Sequence, residues 1–321
     1  MNTSIISKIL LATDFSDSAV LAQLYTEYLA VALKASVVVL HASEHPPPAE
    51  AAFQKEGDIQ TKLLTLQDSL GQRAVPVTIW RSYGSAGDQI LAAAHQFDVD
   101  LIAMGLQGHT HVPYGLIGAT VRTVTTSGPC PVLTVPLPHK AASPCIFTAP
   151  GAITVRRILA PVDFSGPSLD SLECAIHFAH GVGAELVLVH VLEPVHADWD
   201  VHRVQGATQI QQEWDTRLGD LAAVMKSLGL SATYEIRTGF PPDSILAGAL
   251  QYQCDLIVMG THGRRGRGMN TGSVAEAVLR QATCPILTVK NPKFVPGGRP
   301  SIRDVLSPQS QEAACENRRP Q

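Results

Sequence analysis

The sequence contains one pattern twice, and that duplication restricts the fold to one that two similar units can build side by side. Residues 8–16, Lys-Ile-Leu-Leu-Ala-Thr-Asp-Phe-Ser, return at 157–165 as Arg-Ile-Leu-Ala-Pro-Val-Asp-Phe-Ser. Three further landmarks return in the same order. Val37–His41 is echoed by Leu186–His190, Asp100–Gly105 by Asp255–Gly260, and Cys130–Val135 by Cys284–Val289. A length of 321 residues is also what about two domains require, and each copy is long enough to bury its own core.

Composition narrows the partner. The net charge of −4 is spread along the chain and gives no broad basic field, so neither nucleic acid nor an anionic membrane surface is expected as a partner. The apolar runs are short and bounded by Asp, Gly, His or Pro, which argues against a membrane span or signal-peptide core and for a cytoplasmic location. The six cysteines, Cys130, Cys145, Cys174, Cys254, Cys284 and Cys315, lack paired or Cys-x-x-Cys spacing. They are expected to be buried thiols, with neither a disulfide framework nor a zinc site.

Within each copy, short β-branched runs alternate with helical periodicity, as in Ala19–Ala35 and Leu169–His180. This is the pattern of βαβ units on a parallel sheet. Val37–Leu40, Leu101–Met104, Leu186–Val189 and Leu256–Met259 are apolar throughout, as strands covered on both faces must be. The third strands are expected near Val77–Arg81 and Thr233–Arg237, and the fifth at Val132–Val135 and Ile286–Val289. The expected division is a first domain at 1–138, a linker rich in Ala, Pro and Ser at 139–153, a second domain at 154–291, and a disordered tail at 292–321.

The Asp ending the first strand, the His ending the second, the Gly-x-x-Gly loop after the fourth and the Cys-Pro before the fifth together resemble the universal stress protein family in both copies. The resemblance implies an α/β fold: two tandem five-stranded parallel open sheets in the order 3-2-1-4-5, Rossmann-like, with helices on both faces. It also implies that the fifth strands pair, so that the chain forms an internal pseudo-dimer, with a homodimer of chains as a further arrangement. That order reverses between strands one and four and opens a crevice at their carboxyl ends, where ligands bind in open α/β sheets. A carboxylate on one side and glycine amides at a helix N-terminus on the other suit adenosine and phosphate respectively.

The nucleotide-binding members carry Gly-x-x-Gly, nine residues, then Gly followed by Ser or Thr. Copy one has Gly105-Leu-Gln-Gly108 and the nine-residue spacing to Gly118, but Ala119 follows, and its loop offers only His109 and His111. Copy two has Gly260-Thr-His-Gly263 and ends in Gly272-Ser273, with eight residues between Gly263 and Gly272. By resemblance, the adenosine contacts fall on Pro161, Asp163, Val191 and Met259, and the phosphate contacts on Gly260, His262, Gly263, Gly272 and Ser273. Arg264, Arg265 and Arg267 add positive charge to the same loop. Copy two is therefore the candidate site for ATP or a related adenine nucleotide, with or without Mg2+. Asp14, Met104, Gly105, Gly108 and Gly118 form a weaker counterpart in copy one.

Plainer readings stand beside these. Asp14 and Asp163 are also placed to cap the following helix. The glycines also serve tight turns, and the arginines also suit a solvated loop. His41 and His190 read as structural residues rather than metal ligands, and a two-histidine loop at 109–111 is a weak metal signal. Neither Gly-x-x-x-x-Gly-Lys-[Ser/Thr] nor a Gly-x-Gly-x-x-Gly after a first strand is present. No nucleophile and base recur as a set, so the chain is expected not to be an enzyme beyond slow, incidental ATP hydrolysis. The leading expectation is a tandem stress-response protein whose nucleotide occupancy biases contacts with a protein partner. The alternatives are a nucleotide-independent scaffold and a weak hydrolase or phosphotransfer enzyme.

Overall fold

The computed structural model describes residues 6–45, 49–108, 117–137, 153–193, 201–261 and 272–290, with backbone alone for 49–55 and 201–208. Nearly all of the expected linker and the whole of the tail lie outside the described residues.

Copy one runs β1 (Lys8–Ala12), α1 (Asp17–Leu33), β2 (Ser36–Ser43), α2 (Ala49–Gln72), β3 (Val77–Tyr83), α3 (Ala86–Gln96), β4 (Leu101–Gly105), α4 (Ala119–Ser127) and β5 (Val132–Val135). Copy two repeats it as β6 (Arg157–Pro161), α5 (Gly166–Val182), β7 (Glu185–Leu192), α6 (Val201–Ser227), β8 (Ala232–Thr238), α7 (Pro241–Gln251), β9 (Leu256–Gly260), α8 (Ser273–Gln281) and β10 (Ile286–Val289).

Within each half the strands are parallel in the expected order 3-2-1-4-5. The halves are not two separate sheets, however. β5 and β10 pair antiparallel, Leu133 opposite Leu287, and join them into one ten-stranded sheet, β3-β2-β1-β4-β5-β10-β9-β6-β7-β8. The seam is reciprocal: Thr134 Oγ1 donates to the Ile286 carbonyl at 3.3 Å and Thr288 Oγ1 to the Val132 carbonyl at 3.2 Å.

Because successive side chains point to opposite faces, each apolar strand feeds two cores. Ile9, Leu11, Val37, Val39, Leu101 and Ala103 pack beneath α1 and α2, in a cluster that continues through α5 and α6 of copy two. Leu10, Val38, Leu40, Ile102 and Met104 face the other way, towards α3 and α4, in a second cluster that also crosses the seam.

The Asp that opens each fourth-strand landmark has a structural task. Asp100 Oδ2 accepts the backbone N–H groups of Ser7 and Lys8 at 2.8 and 3.0 Å, and Asp255 Oδ2 those of Arg156 and Arg157 at 2.7 and 3.0 Å. These clamps fix the first strand of each half against the fourth, at the end opposite the crevice.

The two copies also solve one turn differently. Beyond α2 the chain passes through Ala74 at φ 57°, whereas Gly229 occupies the equivalent turn at φ 79°. A left-handed conformation costs an L-residue roughly 1–2 kcal/mol, while glycine enters it freely at some entropic cost. Ala74→Gly should therefore stabilise the chain by about 0.5–1 kcal/mol, read as a higher urea midpoint with an unchanged slope.

Candidate functional site

The crevice of each half begins at a repeated turn. After β1 and β6 the chain passes through Asp-Phe-Ser with the phenylalanine in the left-handed region, Phe15 at φ 62° and Phe164 at φ 60°. A non-glycine residue held there in both copies is a strained conformation of the kind that gathers at binding sites. The turn swings the following serine into the N-cap position: Ser16 and Ser165 cap α1 and α5, accepting from Ala19 N and Ser168 N. The aspartates are therefore not the caps. Asp14 Oδ1 accepts from Ser16 N at 2.9 Å and Ser16 Oγ at 2.6 Å, and Asp163 Oδ1 accepts from Ser165 N at 2.9 Å. Each carboxylate is oriented by the turn it helps to close.

Each Phe packs on the strand-end histidine, Phe15 on His41 at 5.2 Å and Phe164 on His190 at 5.9 Å between ring centres. His41 Nδ1 lies 2.9 Å from the Thr13 carbonyl and His190 Nδ1 2.6 Å from that of Val162. Burial holds the His41 imidazole below its ordinary pKa against the opposing pull of the Thr13 carbonyl. These histidines brace the turn on the α1/α2 side of the sheet. A cation completes each stack, Lys62 over Phe15 at 5.3 Å and Arg217 over Phe164 at 5.0 Å and over Trp214 at 4.9 Å. Lys62, Trp214 and Arg217 carry no motif in the sequence. Only their helical phase, aligned on the repeat, would have found them.

The adenosine candidates share the other face. Leu159, Val189 and Met259 belong to the core beneath α7 and α8, and Val191 packs against it. By strand alternation Pro161 and Val191 point that way too. So Pro161, Val191 and Met259 are brought together on one face at the carboxyl ends of β6, β7 and β9, with half-buried Asp163 just beyond β6.

The two crevices differ at their base. In copy one the β1–β4 ladder runs from Ile9↔Leu101 to Ala12↔Met104, so Met104 is paired to the strand end. In copy two the β6–β9 ladder stops at Leu159↔Ile257, although β6 still pairs with β7 up to Pro161↔Val189. Pro161, which has no N–H, stands where copy one has Ala12, and a ladder cannot use a donor that is missing. The hydrogen-bond ladder of copy two therefore ends earlier at the point where strand order reverses.

At the phosphate side, Gly272 caps α8 without a side-chain hydrogen bond, Ser273 is its exposed first residue, and Gly272 N donates to the Thr261 carbonyl at 2.6 Å. That bond pins both ends of the intervening loop next to Gly260 at the end of β9. His262, Gly263, Arg264, Arg265 and Arg267 lie outside the described residues, as do His109 and His111 of copy one.

In copy one the first residues after β4 are tied to the N-terminus of α1. Ser18 Oγ donates to the Gln107 carbonyl, which also lies 3.2 Å from Ser16 Oγ, while Gln107 Oε1 accepts from Leu137 N at 3.1 Å. Gly108 lies so near Asp14 that an added methyl would stand 3.0 Å from Oδ2. Gly105 presses on the first turn of α1, whereas Gly118 has nothing within 4 Å of an added methyl. Gly105, Gln107 and Gly108 thus pack on Asp14 and the first turn of α1. Copy two has Pro167 and Thr261 where copy one has Ser18 and Leu106, so it lacks the hydroxyl that grips the loop.

Cys130, Cys174 and Cys254 are buried and Cys284 partly so; burial pushes the thiols of Cys254 and Cys284 up to about 12. Cys145 and Cys315 fall outside the described residues. Among the described residues no helix is long and apolar enough to cross a membrane.

Known proteins show the same plan. The chain is 23% identical over 312 residues to the universal stress protein Slr1230 of Synechocystis, covering 88% of this chain and 99% of that one. Over a single copy it is 31% identical to the universal stress protein MJ0531 of Methanocaldococcus jannaschii, across 43% of this chain and 84% of the relative. Among solved structures, a universal stress protein from Archaeoglobus fulgidus superposes with a TM-score of 0.62 at 21% identity, covering 88% of this chain and 96% of the other. A Pseudomonas aeruginosa structure described as a putative universal stress protein gives 0.64 at 18% identity, over 90% and 95%. The profile of the universal stress protein family matches residues 6–136 and again 154–290, so this chain belongs to that family and carries its domain twice in tandem.

Proposed function

We propose that copy two binds an adenine nucleotide, ATP with Mg2+ in the first instance, and that copy one serves as its structural counterpart. The observation that carries this reading is the early end of the β6–β9 ladder. Pro161 leaves that edge of β6 without a backbone donor, at the place where Pro161, Val191 and Met259 share one face between Asp163 and the N-terminus of α8. An apolar floor suits a purine ring. Asp163, half-buried at its edge, suits a ribose hydroxyl, and the first amides of α8 with Ser273 Oγ suit a phosphate. The sequence adds Arg264 and Arg265 between Gly263 and Gly272.

Binding rather than turnover is the proposed output, and occupancy is read by a protein partner. Ala119 in place of a phosphate-binding hydroxyl favours a scaffolding role for copy one.

Calorimetric titration with ATP tests the assignment. A hydrogen bond to a charged group is worth about 1.5–3 kcal/mol, so Ser273→Ala should weaken binding about tenfold or more. Gly118→Arg, in open space in copy one, should leave it unchanged. Absence of binding by the wild-type chain would move the whole protein to the scaffold reading.

A further inference from the structure

The seam between the copies is symmetric at its centre and asymmetric at its margins. At the centre the equivalent residues Leu133 and Leu287 face each other, and the equivalent threonines Thr134 and Thr288 make equivalent hydrogen bonds. That central geometry would serve copy one against copy one, or copy two against copy two, equally well. The margins would not.

On the α4/α8 side, Arg122 and Glu276 occupy the same helical position in the two copies. They meet across the seam with Arg122 Nη2 3.4 Å from Glu276 Oε1, an oxygen that Arg280 of the same helix also holds at 2.5 Å. A copy-one pair would set Arg122 against Arg122, and a copy-two pair Glu276 against Glu276. Beside them, Lys290 Nζ donates to the Thr126 carbonyl in the last turn of α4, a favourable place for a cation. Copy one has Pro136 at the position of Lys290 and cannot return that contact.

On the opposite face of the sheet, buried Leu33 of α1 points its Cδ2 at Gly181 of α5, where an added methyl would overlap it. The residue of copy one equivalent to Gly181 is Ala32, and the residue of copy two equivalent to Leu33 is Val182. Two copy-one surfaces would press Leu33 on the Ala32 methyl. Two copy-two surfaces would leave Gly181 facing the shorter Val182.

We propose that the two copies carry non-interchangeable halves of one seam: the surface around β5 accepts the surface around β10 and excludes a second surface of its own kind. The partner fitted to each half is the other half of the chain, and specificity is built by repulsion and overlap in the wrong pairings as well as attraction in the right one. This assignment does not depend on nucleotide binding.

The full-length chain tests it. Gly181→Ala should lower the melting temperature by roughly 2–4 °C, although alanine is the better helix former. In a Leu33→Ala background, where nothing overlaps the new methyl, the same change should raise it. Gly181→Ala that is neutral or stabilising in the wild-type background would overturn the proposal.

Arg122→Glu should lower the melting temperature by about 1 °C at low salt, the modest effect of an exposed pair, and Glu276→Arg by more, because Glu276 Oε1 also holds Arg280 of its own helix at 2.5 Å. Together they should lose clearly less than the sum, whereas a double variant that loses the sum of the two overturns the charge half of the argument.

Discussion

Leu287→Ala should cost about 3–4 kcal/mol, and Leu133→Ala the same within error. The two residues are equivalent, lie opposite each other where β5 meets β10, and are both essentially unexposed. Truncating either removes methyl groups from the cluster beneath α1 and α5, into which both halves feed. The strands above and the helices below are tied to neighbours on both sides, so collapse into the void is restricted and the cavity term stays large. Because both core clusters cross the seam, the loss should appear in one cooperative urea transition with its midpoint lowered. Two transitions, with only one half shifted, would mean that the halves unfold independently and that the seam is not an energetic unit.

Gly105→Ala should destabilise the chain by about 3 kcal/mol, at the upper end for an overfilled site. The added methyl would lie 2.7 Å from Ala19 N and 2.7 Å from Ser18 C. Both are backbone atoms in the first turn of α1, so no side-chain rotation relieves the overlap and the helix itself must move. Gly118→Ala provides the contrast within the same Gly-rich segment. It meets nothing within 4 Å and loses only the preference of an N-cap position, less than about 1 kcal/mol. Denaturant midpoints for the two variants would separate a glycine required for packing from one that is spatially free.

That contrast also explains what the sequence could reveal. The repeat exposed the domain count and the places of the strands, because apolar runs recur at matching positions; the strand order and the pairing of fifth strands came from the family resemblance alone. The seam's fusion of two half-sheets into one followed from the same pairing, yet its rim did not: Arg122 opposite Glu276 looks unremarkable until the copies are aligned and folded against each other. Asp14 and Asp163 were legible as important but not in their role, since Asp-Phe-Ser offers two good cap residues and only the left-handed Phe15 and Phe164 decide for the serine. Pro161 was legible as a resemblance. Its physical effect, the shortened β6–β9 ladder, depends on which neighbour the missing N–H would have served, and that is a property of the sheet. In copy one Ser18 holds the Gln107 carbonyl, a side chain reaching backbone far along the chain, and such contacts leave no spacing to read.

The antiparallel meeting of β5 and β10 has a geometric consequence for communication. Every strand of copy one points one way across the sheet and every strand of copy two points the other. The two crevices, each at the carboxyl ends of its own strands, therefore open on opposite rims of the molecule. No single ligand bridges them, and a protein docked over one rim has no view of the other. Any thermodynamic linkage between the rims must pass through the seam, by β5 and β10 and by the helices α1, α5, α4 and α8 that meet across it, so a ligand in either crevice would be a signal displayed on one side of the molecule only.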